Sequence, residues 1–145
     1  MTRGRVLCAA VVVAAGLAGC AGPADSPSGL AAWASQASFS STLAYLHQDL
    51  SEIATGIAQR KLLATRTACD GLGADAASAI GQLPTPDDQL TYQLNDAYKT
   101  LVRAAQACSV APSFTAPDFA RYEVEARHGA ELLQRAERRF HRLGG

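Results

Sequence analysis

The three histidines, His47, His128 and His141, are the residues of this sequence that could bind a metal. A zinc site on one helix needs a second ligand three or four residues away. Counted forward along the chain, Ser51 stands four residues after His47, and only His128 is followed by a suitable neighbour, Glu131. These two residues supply half a site, so the sequence predicts no metal and no cofactor.

Side chains for covalent or acid–base catalysis are equally sparse. The sequence has no Gly-x-Ser-x-Gly motif of the kind that exposes a serine nucleophile. Its carboxylate pairs, Asp87 with Asp88 and Glu123 with Glu125, are explained by helix capping and by a solvated helix face. We therefore predict that the protein is not an enzyme.

The first 19 residues have the layout of a signal peptide. Arg3 and Arg5 precede an uncharged run of about 13 residues, from Val6 to Ala18, and small residues follow. A membrane-spanning helix needs roughly 20 apolar residues, so we expect this segment to be removed. Losing two of the 13 basic residues leaves 11 against 13 acidic ones, a charge that gives no reason to expect nucleic-acid binding.

The tetrapeptide Leu17-Ala18-Gly19-Cys20 resembles the bacterial lipobox. In lipoproteins the thiol of this cysteine receives a diacylglyceryl group, a peptidase cuts just before it, and the new amine can be acylated with a fatty acid such as palmitate. The resemblance implies that Cys20 is the lipidated first residue of the mature chain. Two or more acyl chains hold a protein stably on a membrane, so the expected location is the extracytoplasmic face of the cell membrane.

Three segments follow from this layout. Residues 1–19 are the signal peptide with its lipobox, residues 20–32 are the lipidated cysteine and a flexible tether, and residues 33–145 are a helical domain. The tether is predicted from proline, serine and glycine without an apolar period. Of the four cysteines, Cys8 leaves with the signal and Cys20 carries lipid. Cys69 and Cys108 remain in a compartment where disulfides persist, which allows one bridge.

Apolar residues after the tether recur at steps of three and four, the period of an amphipathic helix. They predict four helices, at about 39–57, 62–83, 90–108 and 119–143, and no strand. A five-residue step after Ile57 places a turn near residues 57–61, with one long helix as the alternative. Thr85 and Thr115 are the expected caps of the last two helices, each followed by proline and aspartate.

The expected fold is all-α, an antiparallel up-down-up-down four-helix bundle with one inter-helix disulfide. Cys69 lies 14 residues before Leu83, whereas Cys108 lies 21 residues after Asp87. In an ideal hairpin this difference leaves an offset of about 10 Å, more than the roughly 7 Å between Cα atoms that a disulfide tolerates. We therefore predict that the second helix is irregular at Gly71-Leu72-Gly73, where unwound residues would lengthen its arm.

The last helix ends in a basic cluster. A bundle of this topology returns the end of its last helix to the start of the first, which is the tethered end. Dipole compensation explains part of the cluster, but anionic headgroups also attract arginines at close range. The cluster is therefore a possible membrane-facing site. Its members are Arg135, Arg138, Arg139 and Arg142, with His141 beside them.

These features together are similar to those of the small secreted helical lipoproteins of actinobacteria, including mycobacteria. The likeness is carried by the lipobox, the tether, Cys69 in Arg-Thr-Ala-Cys, the Leu-Pro-Thr-Pro-Asp turn, Cys108 in Ala-Ala-Gln-Ala-Cys, and the last helix. The class has no assigned activity. The resemblance implies a disulfide-linked bundle on the cell envelope.

We expect a membrane-anchored lipoprotein that acts as a non-enzymatic binding or scaffold module of the cell envelope. Its expected partners are the membrane, through the lipid anchor, and another envelope protein. The alternative is a carrier that holds a lipid or another small apolar ligand between Ala-rich helices, since bundle cores can host ligands.

Overall fold

The structure of the protein, a computed structural model, describes residues 27–144. Within this range the chain is all-helical and contains no strand, as the apolar period predicts. The predictions for the signal peptide, the lipobox and Cys20 lie outside the described residues. Five helices follow one another: α1 Pro27–Gln36, α2 Phe39–Ala58, α3 Leu62–Ile80, α4 Asp88–Val110 and α5 Pro117–Arg142.

The expected count of four helices misses α1, which begins inside the segment interpreted as a tether. Helices of about ten residues are marginal on their own and depend on tertiary contacts, which a local pattern does not reveal. Here the indole Nε1 of Trp33 donates a hydrogen bond of 3.0 Å to the carbonyl oxygen of Gln82. The Trp33 ring also packs on Phe39, and Leu30 is buried.

The turn predicted near residues 57–61 is confirmed, because α2 ends at Ala58 and α3 begins at Leu62. Arg60 adopts a left-handed conformation with φ 52°, and the amide of Lys61 donates back to the carbonyl of Gly56. The alternative of one long helix is therefore wrong. The apolar stripe of α2 faces inward, with Leu46 and Ile53 fully buried.

The predicted caps of the last two helices are wrong in their residues. Asp87, rather than Thr85, caps α4, and its Oδ1 accepts a hydrogen bond of 2.6 Å from the amide of Leu90. Thr85 instead donates its hydroxyl to the carbonyl of Asp87 and holds the preceding turn. At α5 the cap position is Ala116, which makes no side-chain cap bond, so Thr115 does not cap.

The predicted irregularity of the second helix is also wrong, because α3 continues through Gly71 and Gly73 without a break. The offset is therefore left to the connection of residues 81–87, which lies outside the helices. The amide of Leu83 still donates to the carbonyl of Ile80, so only the residues after it can extend, at about 3.3 Å each against 1.5 Å in a helix.

The long helices pack in chain order, α2 against α3, α3 against α4 and α4 against α5. Glycines let neighbouring helices approach closely: a Cβ at Gly129 of α5 would lie 2.7 Å from Cδ2 of Leu101 in α4. At Gly56 of α2, a Cβ would overlap the side chain of Thr65 in α3. At these positions the absence of a side chain lets the neighbouring helix pack against the glycine backbone.

We call the end of the domain that holds α1 the entry end. The ring centroid of Trp33 lies 5.2 Å from that of Phe39 at the start of α2, and Phe39 lies 4.7 Å from Phe140 at the end of α5. The opposite end, which we call the far end, holds the turn at residues 59–61 and the loop at residues 111–116. The last helix thus returns to the place where the described chain begins.

Candidate functional site

The predicted disulfide between Cys69 and Cys108 is present, with 6.0 Å between the two Cα atoms. Both cysteines are fully buried between α3 and α4. Two polar contacts lie beside the bond: Nε of Arg66 donates to the carbonyl of Ser109 at 2.7 Å, and the Ser109 hydroxyl donates to Asp70 at 2.5 Å. This part of the domain is therefore joined by covalent and polar contacts together.

The basic cluster lies in the last two turns of α5, at the entry end. Three of its four arginines, Arg135, Arg138 and Arg142, are exposed. Positions three and four residues apart share one side of a helix, so these three side chains stand together on the outer side of α5. We call them the basic face.

Arg139 does not belong to the basic face. Its Nε and Nη2 donate to the two carboxylate oxygens of Asp87 at 2.6 and 2.8 Å, a two-point pair in which each side chain is about one-fifth exposed. The hydrogen bond from Arg139 holds the pKa of Asp87 below its usual value. The carboxylate of Asp87 thus caps α4 and also binds α5. Its position just before the helix is the sequence signal for the cap only.

Two carboxylates of the entry end, Glu137 and Asp87, make pairs within the domain, while Asp88 at the start of α4 is exposed. Oε1 of Glu137 lies 2.8 Å from Nε2 of His47, which links α5 to α2, while Asp87 is held by Arg139. Among residues 27–144, no carboxylate lies within ion-pair distance of Arg135, Arg138 or Arg142. The guanidinium groups of the basic face are therefore exposed without an ion-pair partner in this range, although the exposed Glu131 lies four residues before Arg135.

A second polar feature lies in the seam between α2 and α3, at an open groove of about 700 Å³. Oδ2 of Asp49 is buried there without a hydrogen-bond partner. Burial raises the pKa of Asp49 to about 6, and the neighbouring Asp75 on α3 and the charge of Glu52 add to the shift. The seam thus favours a proton on Asp49 in the folded state.

We predict that Asp49→Asn raises the thermal stability at neutral pH and weakens its pH dependence. The folded protein keeps the proton up to about pH 6, whereas the unfolded chain, with an ordinary pKa of 3.8, releases it earlier. Because the folded state binds more protons in this window, the contribution of Asp49 to stability is lost as pH rises from about 4 to about 6. Asparagine keeps the shape without the charge. Thermal unfolding between about pH 4 and pH 7.5 measures the difference.

The comparison of variant with wild type matters because Asp87 titrates with the opposite sign. Its pKa is lowered, so the stability that it contributes is lost as pH falls. Glu52→Gln, which removes a more exposed charge from the same groove, is the matched control and should keep most of the slope. Equal slopes for wild type and Asp49→Asn would contradict the assignment.

The interior near Trp33, Phe39 and Tyr98 contains a void of only about 10 Å³. A space of this size holds about one water molecule and no lipid chain. The surrounding core is filled by buried leucines, alanines and aromatic rings. Any apolar ligand in this part of the core would have to separate the helices.

The histidines are not gathered into a site. His47 pairs with Glu137, whereas His128 and His141 are exposed on α5. Within residues 27–144 no group of three or more histidine, cysteine, aspartate or glutamate side chains is arranged to hold a metal ion. No helix in the same range is long and apolar enough to span a membrane.

In comparisons with known proteins, no family model, no curated protein and no solved structure matches this chain. The functional interpretation therefore rests on three features: the lipobox-like tetrapeptide, the buried disulfide and the charges of the entry end.

Proposed function

We propose that the mature protein is an extracytoplasmic lipoprotein, held on the cell membrane through acyl groups on Cys20, that acts as a non-enzymatic binding or scaffold module of the cell envelope. The buried disulfide between Cys69 and Cys108 is the observation that carries this proposal. Such bonds form and persist outside the reducing cytoplasm. The disulfide fits the secreted location that the signal-like start and the lipobox imply.

The helical domain is proposed to be an up-down-up-down four-helix bundle of α2 to α5, with α1 packed across its entry end. The chain-order packing of these helices and the ring contact between Phe39 and Phe140 support this arrangement. A bundle of this kind offers long, rigid outer surfaces on which a partner can bind. The anchor would hold these surfaces close to the membrane.

A role in binding rather than catalysis agrees with how the reactive side chains are used. The two described thiols are consumed by the disulfide, and His47 is engaged by Glu137. The alternative, a carrier of an apolar ligand, has one supporting observation, the open groove between α2 and α3. Leu63 and Ala64 contribute apolar surface to that groove, but Asp49, Glu52 and Lys61 place charges in it.

Intact mass spectrometry of the protein extracted from its own membranes tests this function. We expect a chain that begins at Cys20, carries acyl groups and gains the mass of two hydrogen atoms on reduction. In the same cells, Cys20→Ala placed behind a signal segment that is cleaved without lipidation should be recovered from the soluble fraction outside the cytoplasm. A wild-type chain without an acyl group would overturn the anchor, and a co-purifying non-covalent lipid would favour the carrier.

A further inference from the structure

We propose that the basic face, Arg135, Arg138 and Arg142 on α5, docks on the anionic phospholipid headgroups of the membrane that holds Cys20. This inference rests on the proposed lipid anchor and goes further, because it fixes which side of the domain meets the membrane. Arg139, which the sequence places in the same cluster, is excluded from the contact by its pair with Asp87.

The three arginines have the arrangement that a flat anionic surface requires. At 100° per residue, a consequence of 3.6 residues per turn, they lie within about 60° of one another around the axis of α5. All three are exposed, so the guanidinium groups can reach phosphate oxygens and donate two hydrogen bonds each. Glu131, one turn earlier on the same side, marks where the purely positive surface ends.

The local charge balance supports an anionic partner. The carboxylates of Asp87 and Glu137 are bound by Arg139 and His47 and not by the basic face, and the contact of Glu137 with His47 is exposed. An arginine paired with a carboxylate loses much of its attraction for a phosphate, but the basic face has no such pair among residues 27–144. Helix-dipole compensation, which involves only the last turn, does not account for Arg135 and Arg138.

The length of chain between anchor and domain brings the basic face close to the membrane. Cys20 and Pro27 are seven residues apart, so they can be separated by at most about 25 Å. From Pro27, α1 leads to Trp33, whose ring packs on Phe39 and through it on Phe140 of α5. The anchored residue and the basic face therefore belong to the same end of the domain.

The expected strength follows from the number of charges. Each arginine near an anionic surface favours the docked state about fivefold, so three of them favour it by roughly 100-fold at low salt. The attraction decays within about 10 Å at ordinary ionic strength, which makes the contact dependent on salt. Such a contact is too weak to replace the anchor but strong enough to orient an anchored domain.

Flotation of an unacylated mature chain, which starts at position 20 with Cys20→Ala and lacks residues 1–19, separates the basic face from the anchor. We expect the chain to float with vesicles that contain phosphatidylglycerol, to stay in solution with pure phosphatidylcholine, and to be released as salt is raised. Arg135→Glu/Arg138→Glu/Arg142→Glu should lower the partition onto anionic vesicles by 100-fold or more. No binding to anionic vesicles at low salt would overturn the proposal.

A charge-matched control decides whether net charge alone explains binding. Arg60→Glu/Lys61→Glu/Arg121→Glu changes the charge by the same amount at the far end, where these residues are exposed. This variant should keep nearly all of its partition. Equal losses in the two triple variants would show that the contact is not made by the basic face, and circular dichroism confirms that both remain helical.

Arginine modification tests the orientation of the acylated protein itself. With the lipidated chain in vesicles, phenylglyoxal should modify the basic face at least fivefold more slowly when phosphatidylglycerol is present, while Arg60 at the far end reacts equally in both vesicles. Equal modification in both kinds of vesicle would overturn docking even if the anchor is correct.

If the natural chain proves unacylated, the proposed anchor is wrong. Flotation of that chain still tests whether the basic face binds anionic vesicles. Retention by anionic polymers but not by vesicles would instead assign the arginines to a soluble polyanion and overturn the membrane contact.

Discussion

The Cys69→Ala/Cys108→Ala variant should unfold with a free energy about 4 kcal/mol below that of the wild type. The disulfide closes a loop with a sequence separation of 39 residues, and this figure follows from the restriction that such a loop imposes on the unfolded chain. Both cysteines are fully buried, so alanine is a better replacement than serine, whose hydroxyl would enter an apolar core. Urea unfolding followed by circular dichroism measures the difference.

Reduction of the wild type provides the control for this prediction. Reduced wild type and the double variant should agree to within about 1 kcal/mol, because both lose the same constraint on the unfolded chain. A loss well below 1 kcal/mol would show that helix packing, rather than the bond, holds α3 to α4. Since domains are stable by roughly 5 to 15 kcal/mol in total, the expected loss is a large share of the fold's stability.

The dependence on this bond connects stability with location. A domain that needs its disulfide folds fully only where oxidation is possible, which is the compartment that the signal-like start predicts. If the chain were kept in a reducing compartment, the same measurement predicts a much less stable domain. A large loss of stability on reduction would therefore agree with a protein that functions outside the reducing cytoplasm.

The apolar period predicts α2 to α5 well because each of these helices buries one stripe. It fails for α1, whose place depends on Trp33 reaching the carbonyl of Gln82, 49 residues away. A contact at that sequence distance leaves no local signature in a ten-residue segment. The sequence also predicts that the second helix reaches Leu83, so the offset between the cysteines is assigned to Gly71 and Gly73, whereas α3 ends at Ile80 and is unbroken at the two glycines.

For the basic cluster, the sequence predicts where the arginines lie but not which of them is paired. Spacing places the arginines of α5 at the entry end, and the ring contact of Phe39 with Phe140 agrees with that placement. The sequence does not separate Arg139 from its neighbours, because its partner Asp87 is 52 residues away. The different role of Arg139 becomes visible only when α4 and α5 are packed together.

We expect Asp87→Ala to lower the free energy of unfolding by about 2 to 3 kcal/mol. Loss of a helix cap costs about 1 kcal/mol, and loss of a charge-assisted hydrogen-bond pair adds roughly 1.5 kcal/mol, discounted here because both side chains are about one-fifth exposed. Arg139→Ala removes the pair and keeps the cap, so it should cost less. Asp87→Asn, which keeps an acceptor for the amide of Leu90, should also cost less than alanine.

A double-mutant cycle with Asp87→Ala and Arg139→Ala separates the cap from the pair. The sum of the stability losses of the two single variants should exceed the loss of the double variant by about 1 kcal/mol or more, because each single variant removes the same contact between α4 and α5. Additive losses would mean that the pair contributes nothing to folding.

The matched comparison is Arg138→Ala with Arg139→Ala. Arg138→Ala should leave urea unfolding unchanged and weaken binding to anionic vesicles. Arg139→Ala should lower the stability of the fold and leave vesicle binding nearly intact. Two adjacent arginines of one helix would then have different roles: Arg139 stabilises the packing of α5 on α4, and Arg138 binds the membrane.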